Sequence, residues 1–172
     1  GGVIGVEFAT LFSTLGVKVS IVEMMDEILP TADQEIAALM HKKLTQGGVE
    51  IFTGAKVEKI EPGLKVHFNQ NGSKSVSGEA VVVAIGRRPV TDGLTLDKAG
   101  VSMNRGYIVV DEYLRTSAPH IYAIGDVTGK VQLAHVASAQ GLVAAHNIAG
   151  GTKKMRYDII RSCVYSEPEI AS

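Results

Sequence analysis

What this sequence lacks narrows it first. It holds a single cysteine, Cys163, which rules out an internal disulfide and any metal site built from cysteines alone. Neither sign of charge dominates: 17 basic residues against 18 acidic leave a net charge of -1, and no stretch gathers Lys or Arg. Nucleic acid and anionic membranes, which need a basic patch, are therefore poor partners. Long apolar runs are missing too, and residues 80–85 fall far short of the ~20 that cross a bilayer as a helix. No basic leader precedes an apolar stretch, so a reduced, soluble compartment is the expectation. There is no internal repeat and no low-complexity tract. What remains is ordinary globular material: 172 residues, 45% apolar and 20% charged, enough to build a core in one generous domain or two small ones.

The opening residues carry the sharpest pattern. Two glycines run straight into residues 3–15, where Ile4, Phe8, Leu11, Phe12 and Leu15 recur at helical spacing and Gly16 is placed to end the helix. Residues 17–22 are rich in β-branched side chains and read as a strand with Glu23 at its tip. Helix then strand is the second half of a βαβ unit, so a strand is expected before Gly1. With one further glycine upstream, Gly2 and Gly5 become the second and third glycines of G-x-G-x-x-G, and Gly1, Val3 and Ile4 complete its turn and helix entry. Gly2 would let the backbone approach a pyrophosphate, Gly5 would let helix and sheet pack tightly, and the helix N-terminus would offer its unpaired N–H groups. Glu23 follows about 20 residues on, where an acid hydrogen-bonds ribose hydroxyls. Met24 and Met25, not Arg, come next, which favours NAD over NADP. A plainer reading makes the glycines a helix-entry turn and Glu23 a solvated strand end; helix, strand and acid in this order weigh against it.

Further along, Thr31 or residues 32–33 can cap a helix over 34–46 with Ile36, Leu39, Met40 and Leu44 on one face. A short strand at 49–52 follows. Segments 56–60 and 65–68, divided by Pro62-Gly63, and the turn at Asn71-Gly72 predict a small antiparallel meander. Residues 80–85 look like a strand buried on both faces of a parallel sheet, closing on Gly86-Arg87-Arg88-Pro89. Strands are expected at 106–110 and 121–124, then a helix over 133–148 with Leu133, Val136, Ala137, Leu142 and Ala145 inward. Cys163 sits in strand-like sequence and reads as a buried, inert thiol.

A second candidate site lies at Ala123-Ile124-Gly125-Asp126, where a strand ends in glycine and aspartate ahead of a helix. The glycine admits a close ligand, the carboxylate can accept from a polyol hydroxyl, and the helix start favours negative charge. Taken alone, strand-Gly-Asp is common in loops. His135 is near the start of that helix, but a lone helical histidine more often packs or sits at the surface than catalyses. His41, His67, His120 and His146 are scattered without metal-ligand spacing, and no metal is expected.

The two sites in this order resemble those of the pyridine nucleotide-disulfide oxidoreductases, flavoproteins with FAD and NAD domains. The resemblance rests on GGVIGVEFA (1–9), VSIVEMMDEILP (19–30), AIGRRPVTDGL (84–94), IYAIGDV (121–127), LAHVASAQG (133–141) and VYSEPEIAS (164–172), so it covers essentially the whole chain. The Leu-Ala-His segment and Glu23 point to the branch that oxidises dihydrolipoamide. Gln132, Val136 and Arg161 depart from residues common at those places. The resemblance implies an α/β fold: a Rossmann-type NAD-binding domain over 1–88 lacking its first strand, a central FAD-contacting domain over 89–156, and the start of a dimer interface domain over 157–172. It implies that Gly1, Gly2, Val3, Ile4 and Gly5 line the NAD pyrophosphate, Glu23 the ribose, Val57 the adenine pocket and Gly86 the nicotinamide end. Glu7 is implied near the nicotinamide, paired with a lysine outside this chain. Asp126 would bind the FAD ribityl and pyrophosphate region, and Leu133, Ala134 and His135 would approach the flavin largely through backbone groups. The dithiol pair and the C-terminal His–Glu base of the family are not in these residues, so no catalytic residue is expected here and the isolated chain is expected to be inactive. Implied partners are dihydrolipoamide on a lipoyl domain, a second subunit in a homodimer, and a 2-oxo acid dehydrogenase or glycine cleavage complex. The implied compartment is the bacterial cytoplasm, ahead of a mitochondrial matrix. Sibling disulfide reductases, an NADH oxidase or a non-catalytic nucleotide-binding module share most of this framework.

Overall fold

Helix α1 (Val3–Thr14) forms where its spacing predicts, from Gly2 at the N-cap to Leu15 at the C-cap, and the chain turns out of it through Gly16 at φ 82°. Its buried face is not the predicted stripe. Val6 and Ala9 enter the core, whereas Ile4, Phe8, Leu11 and Leu15 are exposed. Val6 and Ala9 meet Ile21 and Ile28 in the core, and because residues at other angles round the helix cannot share that face, the bulkier stripe is turned outward. The structure is a computed structural model that describes residues 1–172. Within it the chain resolves into two units, one of residues 1–86 with 161–172 and one of residues 87–160.

In the first unit, strand β1 (Ser20–Val22) pairs in parallel with β2 (Glu50–Phe52), Ile21 opposite Ile51. Helix α2 (Gln34–Gln46) makes the crossover between them. It starts on Asp33, whose carboxylate accepts the Glu35 N–H at 2.9 Å, and buries Ala37, Met40 and Leu44. Val6, Ile21, Ile28, Leu29, Met40 and Val49 meet in one core. The predicted meander follows as β3 (Lys56–Glu61), β4 (Lys65–Asn69) and β5 (Ser73–Ser77), with Phe68 fully buried on the central strand.

Residues 80–85 do not form the expected strand. No main-chain hydrogen bond holds them, and Val82, Val83 and Ile85 are exposed, Ile85 to 93%. Composition supplies a strand's side chains, but a strand exists only where a neighbour exchanges hydrogen bonds with it, and none of this chain's strands pairs there.

In the second unit, β6 (Met103–Asn104) and β7 (Tyr107–Ile108) form a hairpin across Arg105 and Gly106, both at positive φ, as a two-residue turn of the twist-matched kind requires. The longer strand expected at 106–110 is cut to this hairpin. The strand expected at 121–124 reduces to one bridge between Arg115 and Tyr122. Helix α3 (Ala134–Ile148) buries Val136, Gln140, Val143, Ala144 and Asn147. Of the residues predicted inward, Leu142 and Ala145 face out instead. Two buried amides explain the rotation. The Asn147 Nδ2 donates to the Tyr113 and Lys153 carbonyls, and its Oδ1 accepts the Lys153 N–H at 2.7 Å, so that this polar side chain is satisfied in the core.

Residues 161–172 fold with the first unit as the two-stranded β8 (Cys163–Val164) and β9 (Ile170–Ala171), and Val164 joins its core. Because neighbours on a strand point to opposite faces, burying Val164 turns Cys163 outward, and the thiol is exposed where a buried one was expected. No helix is long and apolar enough to cross a membrane.

Candidate functional site

The first unit brings Gly1, Gly2, Gly5 and Glu23 together at the start of α1. Glu23, at the end of β1, lies directly against Gly1: a Cβ there would stand 2.8 Å from Glu23 Cγ. Glu23 Oε2 is 2.8 Å from the Gly1 nitrogen, and Oε1 accepts the Met25 N–H at 2.8 Å. Partial burial pushes this carboxyl up, but hydrogen bonds from the Met25 N–H and then the Met24 N–H help to hold it below its ordinary value. The side chain therefore stays an anion, and an anion can only accept hydrogen bonds.

Gly2 is the more telling glycine. Its φ of -73° and ψ of -179° are open to any residue, and a Cβ there would meet nothing within 4 Å. Neither backbone strain nor packing demands glycine, and the bare flank leaves the main chain open to close approach by a ligand. At Gly5 an added Cβ would sit 3.7 Å from that of Ala84, an ordinary contact, so packing does not demand glycine there either. No side chain caps α1 and its first turn carries no acid, whereas α2 has Asp33 as its cap and Glu35 in its first turn. No side chain of this chain therefore caps the N–H groups at the positive end of α1.

The remaining predicted residues of this unit are spread around that corner. Val3 and Ile4 open α1, Val3 packed against the core and Ile4 exposed. Glu7 accepts the Tyr165 N–H at 2.9 Å, tying α1 to residues 163–166. The Glu23 carbonyl accepts the Ala55 N–H at 2.8 Å, which leads the chain towards Val57, exposed beside a bulge in β3. Gly86 adopts φ 118°, a conformation that side chains resist.

In the second unit, Gly125 and Asp126 open a short 3₁₀ turn (Gly125–Thr128). Gly125 has φ 77°, and a Cβ on it would come 3.5 Å from Ala137 on α3. Its N–H donates to Gln140 Oε1 at 2.5 Å, and its carbonyl accepts from the Thr128 hydroxyl at 2.8 Å. Gln140 is fully buried and spends its amide N–H on the Tyr157 hydroxyl at 3.0 Å. Asp126 is about half exposed, with Oδ2 2.8 Å from Arg87 Nη1, and Arg87 Nη2 donates to the Gln132 carbonyl at 2.7 Å. Leu133 is the extended N-cap of α3, which again has no side-chain cap and no acid in its first turn. Ala134 and His135 occupy that turn and are exposed. Sequence reasoning missed Arg87 and Gln140. Arg87 stood in a quoted segment but shows its partner only in three dimensions; Gln140 showed only as one amide on an apolar helix.

No group of three His, Cys, Asp or Glu side chains stands close enough to hold a metal ion. The first unit offers an uncapped helix start beside the open flank of Gly2 and a carboxylate, and the second, taken by itself, an uncapped helix start and the half-exposed carboxylate of Asp126; helix starts of this kind suit phosphate groups.

Comparison with known proteins gives the same direction. Residues 1–141 match the family described as pyridine nucleotide-disulphide oxidoreductase. The chain is 48% identical over 174 residues to the dihydrolipoyl dehydrogenase of Chlamydia muridarum, covering 100% of this chain and 37% of that protein. It is 40% identical to a dihydrolipoyl dehydrogenase of Bacillus subtilis, covering 99% of this chain and 38% of the relative. Among solved structures it is similar to LpdA from Mycobacterium tuberculosis, with a TM-score of 0.91 and 35% identity over 99% of this chain and 38% of that one. The chain thus spans well under half the length of the relatives it matches.

Proposed function

This chain belongs to the pyridine nucleotide-disulphide oxidoreductase family and has its α/β fold, and from that premise we propose that it is the NAD-binding and central portion of an FAD-dependent dihydrolipoamide dehydrogenase. Bound FAD and NAD would supply the electron and hydride chemistry; the residues of this chain bind and orient them. The open flank of Gly2, with Gly1, Val3, Ile4 and Gly5, receives the NAD pyrophosphate against the uncapped end of α1. The ionised Glu23 accepts from the adenosine ribose hydroxyls and repels a phosphate in their place. Val57 lines the adenine pocket, Gly86 lets the nicotinamide end pass the backbone, and Glu7 stands near the nicotinamide.

Asp126 accepts from the ribityl hydroxyls of FAD. Leu133, Ala134 and His135 present main-chain groups at the start of α3, whose positive end favours negative charge on the flavin. In this reading residues 1–88 form the NAD domain, 89–156 the central domain and 157–172 the beginning of the dimer interface domain. The redox dithiol and the acid–base residues lie outside this chain, which contributes no catalytic residue of its own. The full protein takes dihydrolipoamide from a lipoyl domain, works as a homodimer and serves a 2-oxo acid dehydrogenase or glycine cleavage complex in the bacterial cytoplasm.

The observation that carries this reading is Gly2, a glycine that the protein itself does not require. Gly2→Ala in the full-length protein therefore leaves the melting temperature unchanged or slightly raised, since alanine fits that backbone and reduces unfolded-state freedom. The same change weakens NADH binding, measured by quenching of NADH fluorescence, by about tenfold or more. Unaltered NADH affinity would remove the pyrophosphate from this corner. Turnover of dihydrolipoamide with NAD by the full-length protein, and none by residues 1–172 alone, tests the activity itself.

A further inference from the structure

Arg87 holds two separate points of the second site with one side chain. Its Nη1 donates to Asp126 Oδ2 at 2.8 Å and its Nη2 to the Gln132 carbonyl at 2.7 Å. Both nitrogens belong to one planar guanidinium, so a rigid fork closes the loop 126–132 across its two ends. One tine fixes the carboxylate of Asp126. The other fixes the main chain at the residue before Leu133, the N-cap of α3. On the other side of Gly125 the same loop is anchored by the buried Gln140. Between them, these contacts set where Asp126 and the start of α3 stand relative to each other.

The pair is a poor device for stability. The side chains of Arg87 and Asp126 are 49% and 47% exposed, and ion pairs in such surroundings add little to folding. Its effect is geometric. Arg87 takes Asp126 Oδ2 and leaves Oδ1 to accept a hydroxyl, in an orientation the fork prevents from swinging.

We infer that Arg87 is a positioning residue of the flavin site, acting through Asp126 and Gln132 to aim the carboxylate and the uncapped α3 start at one ligand. This rests on the reading that Asp126 contacts the ribityl chain of FAD. Lysine cannot replace the fork, because a single ammonium can face Asp126 but does not present two donors in a fixed plane to both acceptors.

The test uses the full-length protein stripped of flavin and titrated with FAD. Arg87→Ala weakens FAD binding by about tenfold or more, changes the visible circular dichroism of the bound flavin, and leaves the melting temperature of the apoprotein where it was. Arg87→Lys recovers part of the affinity. Asp126→Asn weakens binding as well, and the double variant is little worse than the single ones, since the two residues act as one unit. Normal FAD affinity in Arg87→Ala beside a loss in Asp126→Asn would overturn the role of Arg87 alone. Normal affinity in Asp126→Asn would remove the flavin from this site and the inference with it. A fall in apoprotein melting that Arg87→Lys restores in step with affinity would make Arg87 a folding contact, which also overturns the inference.

Discussion

Replacing Gln140 by Leu would test how firmly the Gly125 turn is pinned. Leucine fills a similar volume in a position with no exposed surface, so the change removes polar contacts and opens no large cavity. Two bonds are lost: the one accepted from the Gly125 N–H at 2.5 Å and the one donated to the Tyr157 hydroxyl at 3.0 Å. Gly125 is itself buried, so its N–H is left without a partner and without water. That orphan costs about 1–3 kcal/mol, and the Tyr157 bond adds about 0.5–1.5 kcal/mol where the hydroxyl cannot turn to solvent. With tenfold for each ~1.4 kcal/mol, the orphaned N–H alone should make the amide hydrogens around Gly125 exchange with solvent roughly 5- to 150-fold faster, and the lost Tyr157 bond can only add to that. Hydrogen–deuterium exchange followed by mass spectrometry on peptides spanning 121–128 reads this directly. Peptides from α2 serve as the internal reference, because α2 belongs to the other unit. Unchanged exchange at 121–128 would mean that Gln140 does not hold the turn, and the account of α3's polar face would fail with it.

Two further outcomes follow from named carboxylates. Glu23→Arg should erode the preference of the full-length protein for NADH over NADPH by removing the anion that a 2′-phosphate would meet; the ratio of kcat/KM values for the two cofactors measures it, and an unchanged ratio refutes the ribose contact. Glu61 is held at a pKa of about 2, below the ordinary 4.5, first by a hydrogen bond from the Lys59 ammonium and then by His67, whose Nε2 lies 3.0 Å from Oε2. Its folded value is depressed, so its contribution is present above pH 4.5 and is lost as pH falls towards 2. Lys59→Met should move the Glu61 titration, followed by carboxyl-carbon NMR, back up towards the ordinary value. An unmoved midpoint would show that the lysine is not the cause.

The sequence showed the helices and the meander because their signals are local. Asp33 at a cap, Gly16 and Gly47 at helix ends and Asn71-Gly72 at a turn each act within a few residues. It did not show which helix face is buried. Leu142 outweighs Gln140 on any hydropathy scale, yet Gln140 is inside because Gly125 and Tyr157 lie where its amide can serve both. In α1 the same mismatch appears, as Val6 and Ala9 lie in the core while Phe8 and Leu11 are exposed. That Glu23 would stand against the opening glycines was legible because their spacing is itself a pattern. Arg87 was not, since what it does depends on Asp126 and Gln132, 39 and 45 positions further along the chain.

Residues 80–85 leave a hydrogen-bonding ladder with nothing attached to it. A run of alanine, valine and isoleucine with no proline, no charge and no paired main chain is the kind of segment that copies of a protein can stack through, strand upon strand, into fibrils. Glu79 on one side and Arg87 and Arg88 on the other put charges at its borders, the placement by which natural chains keep such stretches from finding one another. The stretch that looked most like buried core is therefore also where residues 1–172, produced by themselves at high concentration, are most prone to aggregate.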